Sequence, residues 1–189
     1  MLYRATSNSY FLKRAESYFL RYKVGENRDP IDWDSKHGLA MLLGAQLVSQ
    51  NGVKSKVDWV KNLKEYLRET ALSQSKTPGG LLYWPGSSDE NSLPTSMGIT
   101  YALAEYARFF PKDDMAQPFR DLADSQIDYL FGKNPRGIPY VVGISDKSPK
   151  NPQVSPFLHC LSELRVPSEL NACLPLVCHG VWWKRYRQR

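Results

Sequence analysis

The chain has 189 residues, of which 42% are hydrophobic and 12% aromatic, and its formal net charge is +6. This composition is typical of a folded globular domain, and no apolar run reaches the roughly 18 residues needed to cross a membrane, so we expect no membrane partner. Residues 1–153 hold 20 basic and 17 acidic side chains, a balance that gives no indication of nucleic-acid binding.

Two helices are predicted in the first fifty residues, where apolar side chains recur at steps of three and four. Asn8 or Ser9 can cap the first helix, whose apolar stripe comprises Tyr10, Phe11, Ala15, Tyr18, Phe19 and Tyr22. Asp34 or Ser35 can cap the second, whose stripe comprises Leu39, Leu42, Leu43, Gln46 and Leu47.

Three further helices are predicted between residues 53 and 131. The third is marked by Val53, Val57, Val60, Leu63 and Leu67. The fourth spans residues 95–110, with Ile99, Ala102, Leu103, Tyr106 and Phe110 inward. The fifth spans residues 116–131 and ends at Gly132, where a left-handed residue costs least, and Pro135 prevents its continuation. The fold class indicated is all-α.

One connection is much longer than the others and is rich in Gly, Pro and Ser. It runs from Gln74 to Leu93. Long connections in compact domains tend to carry function, so we expect this loop to belong to a functional site.

The sequence changes character after residue 153. Residues 154–189 show neither a helical period nor an alternating one, and they hold all three cysteines, Cys160, Cys173 and Cys178. His159 and His179 are neighbours of two of them, but the spacing matches no paired zinc pattern, so no metal or cofactor is predicted. We expect a poorly ordered tail of different origin, as a frameshift or an unspliced intron would produce.

Three stretches resemble family 9 glycoside hydrolases, the inverting endo-β-1,4-glucanases that cut cellulose. Residues 126–143 combine a helix end, a Gly-Lys-Asn-Pro turn and a strand-like Tyr-Val-Val-Gly run. Residues 31–37 carry a Trp-Asp pair before a helix, and residues 77–83 read Thr-Pro-Gly-Gly-Leu-Leu-Tyr. The resemblance implies that residues 1–153 form part of an (α/α)6 barrel and that residues 154–189 are an unrelated tail.

The resemblance also implies which catalytic groups to look for, and this chain does not contain them. The family's base is an Asp in an Asp-Ala-Gly-Asp type of motif, and its acid is a Glu in an Asn-Glu motif near the C-terminus. Neither motif occurs here, nor does the family's cluster of sugar-binding histidines after the Tyr-Val-Val-Gly run. Asp89 and Glu90 are adjacent acids that we interpret as a solvated pair. No catalytic residue is therefore assigned, and the chain is expected to be inactive alone.

Two tryptophans are candidate sugar-binding residues. Trp33 belongs to the Trp-Asp pair, and groove lining is favoured for it, whereas Asp34 is interpreted as a helix cap and His37 as a residue of the first helical turn. Trp84 follows the Gly-Gly-Leu-Leu run, and two positions are open for it. Its ring can stack on a sugar, or it can pack in the core beside Leu81 and Leu82.

The expected partner is a β-glucan such as cellulose. Half of a helical toroid leaves apolar helix faces uncovered, so self-association through those faces is also expected. Family members are usually secreted, but the first residues of this chain show no signal peptide, so its localisation stays unassigned. The alternative function is a non-catalytic glucan-binding module or a helical interaction module.

Overall fold

The computed structural model describes residues 2–86, 88 and 92–150. Within these residues the predicted all-α class is confirmed, because regular structure consists of helices and one isolated antiparallel bridge between Lys76 and Leu82. The α-helices are α1 Leu2–Thr6, α2 Ser9–Arg21, α3 His37–Asn51, α4 Trp59–Leu67, α5 Ser92–Phe109 and α6 Ala116–Leu130. A 3-10 turn covers Val24–Glu26, and a π-helical turn, Arg68–Leu72, extends α4.

The chain divides into two compact units, the first ending at Pro139 and the second beginning at Tyr140. All six helices belong to the first unit. In the second unit, residues 140–150 form bends and turns. The strand-like run predicted at residues 140–143 is therefore wrong, since Gly143 adopts a φ of +82° and the chain turns there. The predicted tail, residues 154–189, lies outside the described residues.

Helices α3 and α4 form an antiparallel hairpin whose close approach depends on two glycines of α3. Gly38 lies against Tyr66 near the end of α4, and Gly44 lies against the indole ring of Trp59 at its start. A side chain at either position would overlap the ring. This contact fixes the register of the hairpin, and α3 is buried along most of its length, with Met41, Leu42 and Ala45 at 2% exposure or less.

Helices α5 and α6 form the second antiparallel hairpin. The rings of Tyr106 late in α5 and Phe119 early in α6 meet edge to face, with centroids 5.1 Å apart. The connection between these helices is tied to α4, because Lys64 Nζ pairs with the carboxylates of Asp113 and Asp114. The hydrogen bond from Lys64 lowers the pKa of Asp114.

The two hairpins pack together through α3 and α5, which run side by side in the same direction. Ile31 lies between the N-terminal halves of both helices, against Gly38 and Gly98. Near the C-terminal ends, Gln46 Nε2 donates to Glu105 Oε2 over 3.3 Å. Two parallel helices, each followed by a returning helix, make the alternating arrangement of an α/α toroid.

Several predicted helix boundaries and faces need correction. Asn8 caps α2 as expected, its side chain accepting from the Tyr10 amide over 2.9 Å. By contrast, neither Asp34 nor Ser35 caps α3, which begins at His37, because Asp32 Oδ1 accepts the amides of both residues and holds them in a turn.

The apolar stripe predicted for α2 is only partly correct. Phe19 is buried, but Tyr10, Tyr18 and Tyr22 are exposed by 57%, 42% and 64%. The buried polar residue of this helix is Glu16. Val53 and Val57, which were predicted to belong to the third helix, lie before α4, since Asp58 caps that helix by accepting the Lys61 amide.

None of the described helices is both long and apolar enough to cross a membrane.

Replacing Gly44 with Ala tests the α3–α4 contact. Ala normally stabilises a helix interior by about 0.5–1 kcal/mol relative to Gly, but overpacking a core costs about 1–3 kcal/mol. The Trp59 ring cannot retreat, because its Nε1 donates to Ser55 Oγ over 2.7 Å and Phe19 packs on it with centroids 4.6 Å apart. We expect a lower midpoint of urea unfolding. Ala40→Ser, at an exposed position of α3, is the control; a Gly44→Ala variant as stable as the parent would contradict the contact.

Candidate sugar-binding site

The long loop forms a compact hairpin before it enters the core. Thr77 N donates to Leu81 O over 2.7 Å, Gly80 N donates to Thr77 O, and Tyr83 N donates to Ser75 O. Gly80 has a φ of +94°, which a residue with a side chain rarely adopts. The loop therefore has a defined conformation from Ser75 to Tyr83.

Side chains from α5 and α6 anchor this loop at Leu82, which is fully buried. Gln126 Oε1 of α6 accepts the Leu82 amide over 2.8 Å, and Gln126 Nε2 donates to Gly80 O over 3.1 Å. Ser96 Oγ of α5 donates to Leu82 O over 2.7 Å. Both backbone polar groups of Leu82 are thus satisfied by side chains, as a buried loop requires.

The loop also lies against the turn that follows α6. A Cβ atom on Gly79 would come within 2.8 Å of the Pro135 ring, so the close approach requires glycine. Asn134 shapes that turn: its Nδ2 donates to Tyr129 O over 2.9 Å and to Ile138 O over 2.8 Å. Gly132, where α6 was predicted to stop, has a φ of +112°. Two of the three family-like stretches are therefore in direct contact.

The third stretch, around Trp33, is held from both sides. Tyr66 OH donates to Asp29 O over 2.8 Å, and burial raises the pKa of Tyr66, which keeps this hydroxyl protonated. Ile31 is 4% exposed and packs on Gly98 of α5, two residues after Ser96. The N-terminal half of α5 therefore contacts both the Trp33 segment and the long loop.

The two candidate tryptophans occupy different environments. Trp33 is 90% exposed, so its ring is accessible to a ligand. Trp84 is 6% exposed, belongs to the hydrophobic core, and donates from Nε1 to Thr70 O in the π-helical turn over 3.2 Å. Of the two positions open to Trp84, the structure shows the one in the core.

The remaining polar candidates have local roles. Asp34 is exposed beside Trp33, and His37 is the first residue of α3, with Nδ1 3.1 Å from Ser35 Oγ. Asp89, Glu90 and the tail residues Cys160, Cys173, Cys178, His159 and His179 lie outside the described residues. Across residues 2–86, 88 and 92–150, no three His, Cys, Asp or Glu side chains are grouped as metal ligands would be.

The anchoring residues Gln126, Ser96 and Tyr66 were not identified from the sequence. Gln126 could have been recognised as unusual in the sequence, since it lies on the buried face of a helix with Phe119, Leu122 and Ala123. A glutamine at such a position has to find partners, because an unpaired buried amide is costly. Its partners come from a loop more than forty residues earlier, which periodicity does not reveal.

The fold matches that of endoglucanases built as (α/α)6 barrels. The endoglucanase of the termite Nasutitermes takasagoensis is similar at 27% identity and a TM-score of 0.63, over 80% of this chain and 32% of that one. Endoglucanase CelQ of Clostridium thermocellum, solved with cellobiose and cellotriose, is similar at 27% identity and a TM-score of 0.60, over 78% of this chain and 25% of that one.

The amino-acid sequence is also similar to that of endoglucanases. Endoglucanase 14 of Arabidopsis thaliana is 30% identical over 169 residues, which cover 80% of this chain and 33% of the relative. The model of glycosyl hydrolase family 9 matches residues 1–165. The chain belongs to glycosyl hydrolase family 9, and its helices are part of an (α/α)6 barrel. It spans about a third of the length of the curated relatives it matches.

Gln126→Leu tests the anchoring of the long loop. The substitution leaves the Leu82 amide and Gly80 carbonyl without their side-chain partner, and a buried unsatisfied group costs about 1–3 kcal/mol. We expect lower global stability and faster hydrogen exchange at the Leu82 amide. Gln117→Leu, at an exposed position of the same helix, is the control and should change neither. Unchanged exchange at Leu82 in Gln126→Leu would contradict the anchoring role.

Proposed function

We propose that this chain binds β-1,4-glucan through Trp33 and does not hydrolyse it alone. The observation that carries the binding proposal is the 90% exposure of Trp33 on a segment whose neighbours Ile31 and Asp29 are fixed by α5 and α4. The backbone that carries Trp33 is positioned in this way, and the exposed indole offers a broad apolar face for the apolar face of a pyranose.

The proposal of inactivity rests on the chemistry of glycosidic bond cleavage. An inverting glycosidase needs a carboxylic acid that protonates the leaving oxygen and a carboxylate that activates water, about 6.5–9.5 Å apart. The family's Asp-Ala-Gly-Asp and Asn-Glu types of motif do not occur in this sequence. Endoglucanase CelQ, solved with cellobiose and cellotriose, supports a glucan as the ligand class.

We also propose that copies of this chain associate through the exposed aromatic face of α2. Arg14 lies over the Tyr18 ring, 4.9 Å from its centroid, and Arg21 lies 5.6 Å from that of Tyr22. Tyrosine and arginine are enriched at the centres of protein interfaces. An exposed row of these residues on an amphipathic helix is suited to pairing with a second copy.

Retention on insoluble cellulose tests glucan binding. The parent chain should be retained, and Trp33→Ala should lose most of the retention while keeping its thermal stability, because the side chain has almost no contacts to lose. Tyr10→Ala removes another exposed aromatic residue and should bind like the parent. Equal retention of Trp33→Ala would refute the Trp33 proposal and leave another surface as the binding face. No retention of the parent would favour the helical interaction module.

The same purified chain should release no reducing ends from a soluble β-glucan. A full-length family 9 endoglucanase serves as the positive control for the assay. Release that persists through repeated purification and is lost on Trp33→Ala would show that this chain is itself an enzyme.

Sedimentation velocity tests self-association. We expect the parent to form a dimer or larger species as its concentration is raised. Replacing both Tyr18 and Tyr22 with Ser should shift it towards monomer, because the aromatic contact area is removed. Tyr101→Ser, at a 54% exposed position of α5, should leave the distribution unchanged. A parent chain that stays monomeric at high concentration would rule the proposal out.

A further inference from the structure

A cavity of about 410 Å³ lies beside α2, away from the aromatic face of that helix. Its walls come from α1, from the N-terminal half of α2 and from the segment between α3 and α4. The lining residues are Tyr3, Ser9, Leu12, Lys13, Glu16, Val53, Lys54, Ser55 and Lys56. This volume is within the range of pockets that hold small organic molecules.

The charge around the cavity is predominantly positive. Lys13, Lys54 and Lys56 line it, and none of the three forms an ion pair with another described residue. Lys61 and Lys64, elsewhere in the first unit, do have acidic partners. Three ammonium groups that lack an ion-pair partner within the described part of the chain and surround one concavity attract anions.

The one carboxylate in the lining is already engaged. Glu16 is 5% exposed, and its Oε1 accepts from Ser55 Oγ over 2.7 Å and from the Lys56 amide over 3.1 Å. Both donors are uncharged. Glu16 therefore ties the segment of residues 53–56 to α2, and its single negative charge leaves the three lysine charges in excess.

The uncharged lining indicates a ligand with a carbon skeleton. Leu12, Val53 and the ring of Tyr3 are apolar, while Ser9 supplies a hydroxyl. We propose that this cavity binds an anionic sugar, one that carries carboxylate or phosphate groups on a pyranose or furanose ring. The lysines pair with the anionic groups, and the Tyr3 and Leu12 side chains cover the apolar face of the ring. This site is separate from the glucan face at Trp33.

Isothermal titration of the full chain tests the proposal with four probes. Digalacturonate and fructose bisphosphate represent the carboxylate and phosphate forms of an anionic sugar, and binding of either one supports the site and identifies its class. Inorganic phosphate and neutral cellotriose are the comparison probes. If phosphate binds as tightly as both sugars, or if neither anionic sugar binds, the proposal is overturned. Cellotriose binding that is lost with the lysine variants would also overturn it.

Lysine variants inside and outside the cavity distinguish binding at a specific site from a general effect of the protein's charge. Charged hydrogen bonds are lost in Lys13→Met, Lys54→Met and Lys56→Met, so at least two of these should bind the sugar about tenfold more weakly or worse. Lys61→Met removes an equal charge outside the cavity and should bind like the parent. Equal weakening by Lys61→Met would show a non-specific effect and overturn the proposal.

Glu16→Gln should bind the anionic sugar more tightly, whereas the lysine variants should bind it more weakly. Glutamine retains an oxygen to accept from Ser55 and Lys56, while the negative charge in the lining is removed, so binding should tighten about twofold. The melting temperature of each variant shows that it has folded. Trp33→Ala should leave anionic sugar binding unchanged, which distinguishes this result from any failure of glucan binding. Weaker binding by a folded Glu16→Gln variant would contradict the proposed charge balance.

Discussion

The structure depends on satisfying a loop backbone that enters a helical core. Leu82 is completely buried, and the backbone groups in the interior of the neighbouring helices are bonded within their own helices. Partners for the Leu82 amide and carbonyl must therefore be side chains. Gln126 and Ser96 supply them from two different helices. This requirement fixes α5, α6 and the long loop relative to one another.

Glycines occur where the elements around this loop approach one another most closely. Gly79 admits the Pro135 ring beside the anchored loop, and Gly98 admits the backbone of Ile31 beside α5. Each contact brings a family-like stretch onto the hairpin of α5 and α6. The Trp33 segment and the long loop are consequently supported by one rigid element, which is what a ligand-binding surface needs when its loops carry the contacts.

Sequence periodicity predicted the packed helices better than the segments that define the site. The fourth and fifth predicted helices match α5 and α6 within a few residues, because their inward positions are filled by residues such as Ile99, Leu103 and Phe119. The Trp33 turn was mistaken for a helix cap because Asp32, not Asp34, accepts the amides there. Trp84 stayed undecided, since its burial depends on a carbonyl of the π-helical turn, and that turn has no marker in the sequence.

Helix α2 shows most clearly where the pattern misleads. Its aromatic residues were expected to face the core, but tyrosines can remain exposed when arginines cover their rings, as Arg14 does for Tyr18. The carboxylate of Glu16 is buried instead, and burial of a charge requires strong donors. Those donors are Ser55 and the Lys56 amide, from a segment forty residues away. Glu16 is the one carboxylate in the lining of the cavity beside α2, and because Lys13, Lys54 and Lys56 line it as well, positive charge is in excess there.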